Sequence, residues 1–316
     1  MPPHATQPLP RRTRARAWHA RRIGAAAVAS TICLVAGACS SSSSGHHAAG
    51  PSATASSPVT ASAGATAPTS SPTAGGSVLV AQPIDLSQWQ LILPVNKGGD
   101  LSGTSAKDEH PAKLFSPWLT QQSDGSLLFW APAGGATTGH SLHSRTELDF
   151  LSSFSAGQGT HTLKATVVVQ QLPTVSHDIV IGQIHGYGST YSAAPFVLLS
   201  FDKTTLTVGV EDKPKLGGST GPSDGEVTTT YTVLKNVALN QPLAYTITAD
   251  GSQLTFSATL YTASGAQERY GSTSVALPAA WNGVPVNFDA GDYEQDDAAS
   301  SHSGGGKVAF YALNAD

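Results

Sequence analysis

No stretch of this 316-residue chain keeps an apolar period of 3.6 residues beyond two turns, whereas short β-forming runs recur throughout its later part. The runs at 126–130, 160–171, 178–185, 196–201, 204–210, 243–249, 254–261, 284–288 and 307–313 are separated by Gly, Ser and Pro. Several alternate apolar with polar side chains, as half-buried strands do. Asp250-Gly251, between two of them, is the dipeptide of a tight hairpin turn. Many short strands without helices bury a core by stacking two sheets, so an all-β fold is expected, a two-sheet β-sandwich or jelly roll. No internal repeat of fixed period is visible.

The strands begin near residue 78, and 78–316 is about 240 residues, an ordinary size for one all-β domain. Residues 40–77 are almost entirely Ser, Ala, Thr, Pro and Gly. Such a segment buries too little apolar surface to offset its ordering entropy and is expected to be a flexible tether. Residues 1–39 read as an export signal: a basic stretch to Arg22, an apolar run from Ile23 to Ala38 shorter than a bilayer span, then Cys39. Ala36-Gly37-Ala38-Cys39 resembles a bacterial lipobox, in which the cysteine is lipidated; an ordinary small-residue cleavage site is the alternative. On the lipobox reading the protein is secreted and held by Cys39 to the outer face of a bacterial membrane. Cys33 and Cys39 are the chain's two cysteines, so 78–316 carries no disulfide and no thiol chemistry.

Six of the 17 basic residues are arginines within 11–22, leaving 11 bases against 21 acids, a formal −10. An acidic domain is a poor partner for nucleic acid or an anionic membrane surface, and a polyanionic substrate would need a local cationic patch. Arg145 and Arg269 are the two arginines beyond residue 22, which gives the position of Arg145 weight.

Three distant segments set polar groups beside β-forming runs: His143-Ser144-Arg145-Thr146-Glu147-Leu148, Gly182-Gln183-Ile184-His185, and Phe288-Asp289-Ala290-Gly291-Asp292-Tyr293-Glu294-Gln295. Alternate strand residues share a face. Arg145 and Glu147 therefore point one way, Gln183 and His185 share a face over Ile184, and a regular third strand would align Asp289, Gly291, Tyr293 and Gln295. If these strands are neighbours in a curved sheet, the pairs line a concave groove. Such a groove suits β-elimination at a uronic acid. The C5 proton is weakly acidic because its loss puts a second negative charge beside the carboxylate. Arginine neutralises that carboxylate through a forked contact, and Gln and His add hydrogen bonds. A base and an acid must then move protons.

In order and type the segments resemble the signatures of the alginate lyase family (polysaccharide lyase family 7): R-[ST]-E-L-R, Q-[IV]-H and Y-x-K-x-G-x-Y-x-Q. Ile84 to Val95 is similar to the family's opening strand, Leu128-Phe129-Trp130-Ala131-Pro132 with Gly135-Ala136-Thr137-Thr138 to its approach to the arginine motif, and Lys307-Val308-Ala309-Phe310-Tyr311-Ala312-Leu313 to its closing strand. The resemblance implies Arg145, Gln183 and His185 at the carboxylate and Tyr293 as acid and base, with no metal and no cofactor. Glu147, His143, Asp289 and Gln295 are the expected substrate contacts. The implied partner is an anionic polysaccharide, alginate by resemblance, and nothing demands more than a monomer. Three positions depart from the family: Asp149 replaces its second arginine, Asp289 its lysine and Asn287 its first tyrosine. Two cations have become anions.

Other readings exist for the same residues. Arg145 and Glu147 form a surface ion pair in one, and Tyr293 packs as a core tyrosine in another. The acids Asp289, Asp292, Glu294, Asp296 and Asp297 alternate as calcium ligands do, without the usual loop pattern. Glu147-Leu148-Asp149 also resembles the carboxylate strand of jelly-roll glycoside hydrolases, but Leu151, Ser152 and Ser153 follow where another glutamate is needed. A non-catalytic carbohydrate-binding sandwich is the third alternative.

Overall fold

The computed structural model describes residues 79–108, 114–139, 141–191, 194–215, 226–297 and 304–316. Cys39, the export signal and the tether lie outside these, as do His140 and His302. Among the described residues, sixteen strands form two antiparallel sheets. In the first, β11 (Thr228–Lys235), β10 (Thr205–Glu211), β9 (Pro195–Asp202), β8 (Asp178–Gly186), β15 (Pro285–Glu294), β5 (Arg145–Phe150), β1 (Trp89–Ile92) and β2 (Lys107–Asp108) follow in spatial order, and β6 (Phe154–Ser155) also pairs with β15. In the second the order is β14 (Gln267–Ala276), β13 (Gln253–Tyr261), β12 (Pro242–Asp250), β7 (Thr160–Gln171), β16 (Gly305–Ala315), β4 (Leu127–Pro132) and β3 (Leu119–Gln121). This is the expected jelly-roll sandwich.

The inner faces carry the alternating apolar residues. Leu163, Val167, Ile247, Phe256, Leu260 and Phe310 of one sheet meet Leu148, Ile184, Val197, Phe201, Val208 and Phe288 of the other in one core cluster. The hairpin between β12 and β13 turns at Gly251, whose φ of 52° suits a residue without a Cβ.

Register shifts re-phase the groove sheet. The β8–β9 register shifts between Val180 and Gly182, and the β15–β8 register between Ala290 and Tyr293. Ile179 and Ile181 therefore face the core before the shift and Ile184 after it, which turns Gln183 and His185 outward. Tyr245, on β12, crosses the core and donates to the Ile181 carbonyl at 2.6 Å, satisfying the backbone there.

Candidate active site

The three motif strands are neighbours. Across β5 and β15, Arg145 pairs with Tyr293, Glu147 with Gly291 and Asp149 with Asp289; across β15 and β8, Asp289 pairs with Gln183 and Asn287 with His185. Their outward side chains Arg145, Asp149, Gln183, His185, Asn287, Asp289 and Tyr293 line a groove of about 530 Å³. Gln90, Lys107, Thr138, Ser141 and Tyr187 complete its walls.

Beneath the lining lies Glu147, fully buried. Its Oε2 accepts from Arg145 Nη1 at 2.9 Å and its Oε1 from Gln183 Nε2 at 2.5 Å. Burial pushes the Glu147 carboxyl up, and Arg145 opposes the shift. Glu147 was expected to touch substrate; instead it holds two groove residues in place from below. The pair is not a surface ion pair, because Arg145 is only 6% exposed. The Arg145 Nε has no hydrogen-bond partner among the described residues, and the guanidinium carbon lies 3.6 Å from the centre of the Tyr293 ring.

Tyr293 is half-buried at the groove wall, and its hydroxyl meets Ser141 Oγ at 3.0 Å. His143 and Gln295 lie outside the groove lining. The His143 ring packs edge-on to Tyr293 at 6.1 Å while its Nδ1 donates to the Asp296 carbonyl at 3.0 Å. Gln295 follows the end of β15, and its amide folds back onto the Tyr293 and Glu294 carbonyls at 3.1 and 3.2 Å. Both therefore brace Tyr293 rather than extend the face it shares with Asp289.

His185 Nδ1 lies 3.1 Å from the Gly186 carbonyl. A carbonyl only accepts, so that nitrogen carries the hydrogen and Nε2 keeps the lone pair. Burial, and then Arg145, lower the imidazole to about 4, so it is neutral at ordinary pH.

The two reversed charges face each other. Asp149 receives Asn287 Nδ2 and Lys107 Nζ, the latter at 3.4 Å. Asp289 is 4% exposed with Oδ1 unpartnered, and burial beside Asp149 and Glu147 holds its carboxyl well above the usual range. The other acids of the 289–297 block diverge. Asp292 points inward to accept the Ala131 N–H at 2.9 Å, Glu294 accepts from Ser144 and Asp296 backbone, and Asp296 accepts from Val175 and Ser176 backbone. Those carboxylates answer backbone donors, not a shared calcium.

Ser141, Tyr187 and Lys107 were not singled out from sequence. Ser141 and Tyr187 lie in connections without regular structure, and Lys107 in a two-residue strand; no periodicity marks such places.

The profile of the alginate lyase family matches residues 84–316. A search of curated proteins found no match. Among solved structures, alginate lyase A1-II', a member of polysaccharide lyase family 7, is 26% identical, covering 73% of this chain and 95% of that one at a TM-score of 0.54. A variant of the same enzyme in complex with product (GGG) is 25% identical over 73% of this chain and 96% of that one, at 0.55. An alginate lyase from Pseudomonas aeruginosa, 24% identical over 74% and 99% at 0.56, is alike in fold. The matched span takes in both sheets and all three groove strands in order, and on that ground the chain belongs to the alginate lyase family and is a polysaccharide lyase.

Proposed function

We propose that this lyase opens a uronate polymer of the alginate kind at the groove of β5, β15 and β8, with Arg145 and Gln183 on the reacting carboxylate and with His185 and Tyr293 transferring protons. The observation that carries the reading is the convergence of these four side chains on one groove, with Arg145 and Gln183 pinned from below by Glu147. Arg145 spends one of its five N–H donors on Glu147 and Gln183 one of its two amide hydrogens, so both keep donors for a carboxylate. Neutralised in this way, the carboxylate lets C5 give up its proton. The C5 electron pair forms the C4–C5 double bond as the C4–O glycosidic bond breaks, and the departing oxygen takes a proton. Tyr293 and the neutral His185 are the groups at hand to receive and return those protons, a contribution of roughly 10²–10⁴ in rate.

Glu147 is buried and bonded to Arg145 and Gln183, so it is not placed to act as the nucleophile that the glycoside hydrolase alternative asks of its strand. Export and lipid attachment at Cys39 complete the reading. They rest on the basic stretch, the apolar run and Ala36-Gly37-Ala38-Cys39 alone.

The test is ultraviolet absorbance of the unsaturated uronate formed from polymannuronate, polyguluronate and glucuronan, with Tyr293→Phe as control. Absorbance should rise with at least one polymer and be lost in the control. Product from Tyr293→Phe at the wild-type rate would remove Tyr293 from proton transfer.

A further inference from the structure

The groove presents two cations among its described lining residues, and each already faces an acid. Lys107 Nζ is 3.4 Å from Asp149 Oδ2, and Arg145 Nη1 is 2.9 Å from Glu147 Oε2. Asp289 is a third carboxyl without a cation of its own, set in register between Asp149 on one side and Gln183 on the other. Among the described residues, the titratable or charged groups facing Asp289 are Asp149, Glu147 and Arg145 from β5, His185 from β8 and Lys107 from β2, with Tyr293 on its own strand. Three carboxyls therefore meet two cations around a neutral imidazole. Protonation of Asp289 removes one negative charge and leaves no cationic surplus.

The hydrogen-bonding atoms point the same way. Both Asn287 amide hydrogens are engaged, by Asp149 and by the Phe150 carbonyl, so its Oδ1 remains as an acceptor. The Asp289 Oδ1 is buried, unpartnered and in the groove wall. Acceptors recognise sugar hydroxyls, which donate, and repel carboxylates, which do not. At physiological salt the Debye length is about 8 Å, so sugars next to the reacting uronate feel this row.

We propose that Asp149, Asp289 and Asn287 form a subsite for an uncharged sugar, so that the preferred substrate is a heteropolymer in which the reacting uronate is flanked by neutral residues rather than a polymer of uronate alone. The proposal rests on the lyase reading above. Arg145, Gln183, His185 and Tyr293 act on the one uronate, while the acidic row selects a neighbour that lacks a carboxylate.

Graded carboxyl reduction of alginate and of glucuronan converts a growing share of uronates into the matching neutral sugars without altering the linkages. Wild-type enzyme is assayed on each series by ultraviolet absorbance, with rates expressed per remaining uronate. The rate per uronate should rise several-fold at intermediate reduction. In Asp149→Asn/Asp289→Asn the rise with reduction should flatten. A melting curve establishes that the variant is folded, and the wild-type series decides the matter if it is not. Rates per uronate that stay level or fall as carboxyls are removed would overturn the subsite and leave the lyase reading standing. Silence of the wild type on every polymer in both series would overturn both.

Discussion

Glu147 shows how a fully buried charge is made tolerable and put to use. Taking a carboxylate out of water costs several kcal/mol, and only close donors offset that cost. Arg145 at 2.9 Å and Gln183 at 2.5 Å supply them, and in doing so are fixed for whatever enters the groove. Removing the cation should therefore cost more than removing the pair. Arg145→Met, which strands the Glu147 charge, is expected to lose about 3–5 kcal/mol of folding stability. Arg145→Met/Glu147→Gln should recover most of that loss while elimination stays absent. Urea unfolding of the two variants checks the first half and the ultraviolet assay the second. Equal destabilisation of both would mean that Glu147 carries no charge in the folded protein. Strand alternation in the sequence put Arg145 and Glu147 on one face, but alternation says nothing about depth. It could not show that one lines the groove and the other lies under it.

At the scale of elements, the site depends on how closely β5 and β15 approach where Gly291 opposes Glu147. A Cβ at Gly291 would sit 2.5 Å from the Thr146 carbonyl oxygen and 2.7 Å from Glu147 Cα, and both are backbone atoms that cannot swing aside. Gly291→Ala should push the two strands apart, with a cost of about 1–3 kcal/mol and a much larger fractional loss of activity, since Arg145 and Tyr293 are carried by those strands. Thermal unfolding alongside the elimination assay measures both; activity surviving intact in a destabilised protein would show that the strand spacing does not set the site. The groove strands were legible in the sequence because each pairs apolar core residues such as Leu148, Ile184 and Phe288 with polar neighbours. The edge strands β11 and β14 were not. Their Thr- and Ser-rich runs are largely exposed, so little apolar alternation was required of them. The bulges at 180–182 and 290–293 were equally silent, being set by how neighbouring strands register rather than by residue type.

Over the whole molecule, buried carboxyls outnumber buried bases, and this fixes the direction in which stability changes with pH. Asp178 is pushed up to about 7 by burial and by Asp202, its cross-strand partner, and Glu294 to about 7 by burial. Asp292 and Asp289 are raised well above the ordinary value, chiefly by burial. A carboxyl whose pKa is higher folded than unfolded holds its proton more tightly in the folded state. Its contribution is complete below the unfolded value near 4 and disappears as pH rises through the folded one. His185, lowered to about 4, works in the opposite sense, gaining stability for the fold between about 4 and its ordinary 6.5, but it is one group against several. The melting temperature should therefore fall between pH 5 and pH 8. Asp178→Asn, which removes one of the titrating groups while keeping its shape, should make that fall shallower and raise the melting temperature at pH 8. Calorimetric scans of wild type and variant across that range give the answer. A wild-type melting temperature that climbs from pH 5 to pH 8 would mean that these carboxyls are ionised in the fold, with cationic partners near enough to hold them so.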